Sequence, residues 1–189
     1  MLITVLTAVL LAGVPLIEAA KSSDTAAVRA LLQKKVDVNA AEGDGTTALL
    51  WASYKDDVEI ADLLIHAGAN VNTANDLGTT PLWTASQNGS AAMVRRLLQA
   101  GANPNLALLS GESPLMIASR SGNPDIVEQL LAKGANVNAR AARGQTALMW
   151  AVAQKHSTVV RALLAHGADL NARSDVWGQV MAVPPHGLP

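Results

Sequence analysis

Apolar residues fall along this chain in pairs of short runs, and the pairs return in fixed register. Leu16, Leu49, Leu82, Leu115 and Leu148 stand 33 residues apart, as do Asn39, Asn72, Asn105, Asn138 and Asn171. Gly45, Gly78, Gly111 and Gly144 keep the same step, and so do Gly68, Gly101, Gly134 and Gly167. Within 75–107 a polar stretch ends at Gly78, then Thr80-Pro81 precede the run Leu82 to Ala85. Threonine is a good helix-starting residue, and proline suits the first helical turn, where its missing N–H would be unpaired anyway. Gly89 ends this first helix. A second helix follows, in which Met93, Leu97 and Leu98 share one face, and Gly101 supplies the left-handed residue that commonly closes a helix. Each unit therefore predicts turn, helix, tight turn, helix, loop. Such a period marks a stacked-repeat architecture in which a unit buries its apolar face only against its neighbours.

The other units agree position by position. GTTALLWAS (45–53), GTTPLWTAS (78–86), GESPLMIAS (111–119) and GQTALMWAV (144–152) start the first helices. The second helices start at Asp24, Asp57, Ser90, Asn123 and His156; all but the histidine are strong cap types, and Asn123 is followed by Pro124.

Thr80-Pro81-Leu82, the Leu97-Leu98 pair and Gly101-Ala102-Asn103-Pro104-Asn105 resemble the ankyrin repeat, whose period is the same. The resemblance covers about 13–173, in units of about 13–41, 42–74, 75–107, 108–140 and 141–173. It implies an all-α solenoid of five stacked helix-turn-helix units with projecting finger loops. Arrays of this family typically bind other proteins through the fingers and the concave face of the first helices. Two departures stand out. The family's usual histidine after Thr-Pro-Leu is replaced by Ile17, Leu50, Trp83, Met116 and Met149, so apolar packing is expected to join the repeats. Lys35 stands where later units have glycine, which costs roughly 1 kcal/mol if the residue is left-handed.

Both ends depart from the repeat. Residues 1–17 carry no charged side chain, and the apolar stretch from Leu2 to Ala12 has the length of a signal peptide. Residues 1–12 therefore read as an export leader, giving a periplasmic or secreted protein; without a leader the protein would be cytoplasmic. It is too short for a stable membrane span. At the other end Gly178-Gln179 echoes Gly144-Gln145, but no Thr-Ala-Leu helix follows. Residues 174–189 read as the start of a further repeat or a Pro-rich inserted loop in a longer protein.

Composition narrows the chemistry. The chain is 50% hydrophobic but only 3% aromatic, as expected for small helices packed through Ala and Leu. A net charge of −1 gives no electrostatic footprint for nucleic acid. The absence of cysteine excludes disulfides and zinc–thiolate sites. Gly43-Asp44-Gly45-Thr46-Thr47-Ala48 matches a dinucleotide fingerprint in letters, but that motif needs a preceding strand, and equivalent stretches keep only the second glycine. His66, His156, His166 and His186 show no metal-ligand spacing. Asp56-Asp57 lies in a turn between helices, with Asp57 as a cap. Asn88-Gly89-Ser90, though an N-glycosylation sequon, reads as a turn. Neither a cofactor nor a catalytic residue is expected.

The expected function is noncatalytic binding of a protein partner by a monomeric array. The alternative is a targeting or regulatory arm of a larger enzyme or effector. Matching positions to the family's contact sites gives Asp44, Thr46, Asp76, Leu77, Ser110, Glu112, Arg143 and Gln145 from the fingers. The helix ends add Tyr54, Lys55, Gln87, Asn88, Arg120 and Ser121. Early fingers lean acidic (Glu42, Asp44, Asp76) and later ones basic (Arg140, Arg143, Arg173), a gradient able to orient a partner. Trp51 and Trp150, at equivalent places in first helices, are expected in the core.

Overall fold

The computed structural model describes residues 14–175; the leader at 1–12 and nearly all of 174–189 lie outside the described residues. Four first helices begin at a buried hydroxyl. Thr47, Thr80, Ser113 and Thr146 hold extended backbone, and each hydroxyl accepts the N–H three residues on, from Leu50, Trp83, Met116 and Met149. Four second helices begin the same way, with the side chains of Asp24, Asp57, Ser90 and Asn123 accepting from Ala27, Ile60, Met93 and Ile126. His156 makes no such cap; its ring Nε2 instead lies 3.1 Å from the Arg120 carbonyl.

These starts give ten helices among the described residues. They are α1 (Val14–Lys21), α2 (Thr25–Gln33), α3 (Ala48–Lys55), α4 (Val58–His66), α5 (Pro81–Asn88), α6 (Ala91–Gln99), α7 (Pro114–Ser121), α8 (Pro124–Ala132), α9 (Ala147–Ala153) and α10 (Ser157–Ala165). Odd-numbered helices stack on one another, even-numbered ones stack behind them, and each pair touches chiefly the next. The odd row packs more closely than the even row, so the array curves with the first helices inside. Leu64, Leu97, Leu130 and Leu163 are wholly buried between the rows, and Leu49, Leu82 and Leu115 nearly so. Lys35 adopts φ +56, the left-handed conformation that Gly68, Gly101, Gly134 and Gly167 hold at the same repeat position.

The asparagine series joins one repeat to the next. The Asn72 carboxamide accepts from the Asn103 N–H at 2.8 Å and donates to the Gly101 carbonyl at 3.3 Å. Asn105 does the same with Asn136 and Gly134, and Asn138 with Asp169 and Gly167. Asn39 begins the row on Asn70 and Gly68. Each asparagine's own N–H is in turn received by the side chain two residues earlier, Asp37 for Asn39 and Asn70 for Asn72.

Asn72→Ala and Asn105→Ala should each lower unfolding free energy by about 1–2 kcal/mol, since each removes two solvent-accessible hydrogen bonds. Urea denaturation followed by circular dichroism checks this; an unchanged midpoint in both variants would put the coupling between repeats elsewhere.

Candidate functional site

The fingers are built from short-range backbone bonds. Glu42, Asn75, Leu108 and Ala141 donate to the carbonyls of Thr46, Thr79, Glu112 and Gln145, closing four equivalent hairpin turns. Neighbouring fingers are then tied side by side. Asp76 N–H donates to the Asp44 carbonyl at 2.8 Å, Leu109 to Leu77 at 3.1 Å, Ala142 to Ser110 at 2.9 Å and Asp175 to Arg143 at 2.9 Å. Gly78 shows why this register demands glycine: its φ is +79, and a Cβ there would meet the backbone of the next finger at 3.0 Å. The result is a stiff ledge along the inner face rather than a set of free loops.

Most of the residues expected to meet a partner do stand on this surface. Asp44, Asp76, Leu77, Ser110 and Arg143 are exposed on the fingers, and Tyr54, Lys55, Gln87 and Ser121 at the ends of first helices. Others are committed. Thr46 is only 7% exposed, and its hydroxyl and N–H both bond Asp44; it serves the finger turn and is not open to a partner. The Asn88 amide donates to the Ser53 and Tyr54 carbonyls, tying α5 to α3. Arg120 and Glu112 pair at 2.8 Å, and Gln145 is half-buried.

The two tryptophans correct the expectation of a core position. Thr84 and Ile117, at the same repeat position, are buried, but an indole is too large for the gap between neighbouring first helices. Trp51 and Trp150 are therefore only half-buried and line the groove. Trp51 donates its ring N–H to Glu42 at 2.7 Å, and Lys21 lies 5.0 Å from its ring centre. Arg120 stands 5.2 Å from the ring centre of Trp150. Lys21 and Arg120 occupy the same repeat position, three units apart, and so do the two tryptophans. Two clefts follow that spacing. One of about 310 Å³ is lined by Asp44, Thr46, Leu50, Trp51, Tyr54 and Thr84. The other, about 520 Å³, is lined among the described residues by the equivalent Gln145, Met149 and Trp150, with Ala153 and Arg173.

Sequence reasoning passed over Leu109, Lys21 and the groove role of the tryptophans. Leu109 is 81% exposed beside Leu77 at 68%, and its only signal was an apolar residue in a polar loop. The matched cation–tryptophan spacing was legible, but only once the position was known to face the groove. The acidic-to-basic trend is partly neutralised within the chain. Glu42 pairs with Lys21 at 2.6 Å, whereas the Arg140 guanidinium donates to the neutral Arg173 carbonyl and keeps its charge. Among the described residues Asp44, Asp76 and Arg143 make no ion pair. There, too, no group of His or carboxylate side chains is placed to hold a metal ion, and no helix is long and apolar enough to cross a membrane.

Hydrogen bonds tune the first finger's charges. Those from Lys21 and Trp51 hold the Glu42 carboxyl below its ordinary value of 4.5, and bonds to Glu42 and Glu18 raise Lys21. The N–H and hydroxyl of Thr46 lower Asp44. A family model described as ankyrin repeats (3 copies) matches the chain twice, over 16–108 and 82–174. No curated protein matches it.

Because Glu42 is depressed in the folded state, its contribution is complete above pH 4.5 and is lost as pH falls through its lowered value. The Trp51 indole N–H resonance should therefore titrate with a midpoint below 4.5, and Glu42→Gln should abolish that transition. A midpoint at or above the ordinary value would show that the Lys21–Glu42–Trp51 cluster does not hold in solution.

Proposed function

The chain belongs to the ankyrin-repeat family, and we propose that it is a noncatalytic module that grips a protein partner along the finger ledge and concave first-helix face. Ankyrin repeats are general protein–protein interaction modules. The observation that carries the finer reading is the ledge itself: fingers locked to one another by backbone bonds present Leu77 and Leu109 to solvent, and Tyr54 is exposed near the end of α3. A loop ordered before binding loses little entropy on contact, and exposed aliphatic and aromatic groups beside a cleft are suited to anchor a partner. The mechanism is presentation of a fixed shape. The charge-free stretch at the N-terminus supports export as the setting in which the partner is met.

A photo-crosslinking residue placed at Leu77 or Leu109 should trap a protein-sized product in cells of the source organism, whereas one at Glu128 on α8 should not. Crosslinking from Glu128 alone would move the interface to the outer helices. Tyr54→Ala or Arg143→Glu should weaken the captured complex while leaving the circular dichroism melt unchanged; intact affinity in both would take the contact away from the groove.

A further inference from the structure

The cleft beside Trp51 has a chemistry more specific than an apolar groove. Resting on the concave-face reading above, we propose that it seats an arginine side chain of the partner protein. Two of its walls are aromatic and stand at right angles: the Trp51 and Tyr54 rings meet edge to face, with centres 5.7 Å apart and planes at 87°. Aromatic faces carry partial negative charge and attract cations. Asp44 adds a carboxylate that retains lone pairs beyond those Thr46 uses. Nearby, Lys21 is held by Glu18 and Glu42, while Asp44, the one charged residue lining the cleft, makes no ion pair among the described residues. The cleft is therefore electronegative, and its complement is a cation.

The chain's own habit points the same way. At one repeat position near the end of the first helix, repeats one and four carry Lys21 and Arg120, and each places its charge over the tryptophan of the following repeat. In the second repeat that position is Tyr54, and the residues lining the cleft include no cation, Lys21 lying over the Trp51 ring outside that lining. Lys21 comes from the preceding repeat, whereas the cleft is lined on the other side by Asn75, Thr79 and Thr84 of the following one. A guanidinium matches this setting better than an ammonium, because it is planar, weakly hydrated, stacks on rings and can engage a carboxylate through two N–H groups.

The test is an NMR titration of the protein with acetyl-Gly-Arg-Gly-amide against its citrulline counterpart, which keeps the shape and removes the charge. The arginine peptide should shift the Trp51 indole N–H saturably and bind roughly fivefold tighter, as one cation–π contact implies. Asp44→Asn should erase that preference. Tyr54→Leu, an exposed change with the Asn72 and Asn105 amide signals as the check on folding, should weaken the arginine peptide by a similar factor. Equal binding of the two peptides, or an arginine preference untouched by both substitutions, overturns the proposal while crosslinking at Leu77 still stands for the broader reading. An arginine preference without any concave-face crosslink overturns it as well, because no partner chain then supplies the side chain.

Discussion

A carboxamide can accept and donate at once, and the array depends on that property. In four loops among the described residues one asparagine accepts an N–H and donates to a carbonyl of the next repeat. An aspartate there could only accept, and would face the carbonyl with a negative charge. Because the amide spans neighbouring loops at a fixed separation, it sets where each following finger begins. The finger-to-finger bonds then close in register, and the buried leucines between the helix rows meet their counterparts.

The repeats are joined by more than apolar packing, although the loss of the family's histidine suggested otherwise. Trp83 stands at the histidine position, buried, and its ring N–H donates to the Glu112 carbonyl of the next finger at 3.1 Å. A bulky indole thus contributes contact area and also keeps a polar link between loops. Lys35 shows a cost left in place: a lysine in the left-handed conformation closes α2 where glycine closes the later second helices.

Rigidity and recognition are connected through these bonds. The fingers are tied to one another through the backbone, so side chains along their edge are free to vary without altering the frame. Leu77, Leu109, Ser110 and Arg143 occupy that edge. Such an arrangement separates the residues that hold the shape from those that meet a partner, and the same fold then serves unrelated targets.

Local chemistry was enough to read the frame from the chain. Helix starts at Thr80-Pro81 or Asp57, stops at Gly89 and the 33-residue step follow from short-range sterics and hydrogen bonding, which neighbouring residues set. Exposed edge residues such as Leu77, Ser110 and Arg143 were legible for the same reason, since a finger projects wherever the repeat places a turn, but Leu109 was passed over. What tertiary structure decided was the fate of groups whose surroundings come from other repeats. Thr46 and Thr84 are buried while Trp51 and Trp150 emerge into the groove. At the repeat position of Thr84 and Ile117 the packing of neighbouring first helices buries those side chains but leaves the indoles half-exposed, and that packing is set by residues far apart in sequence.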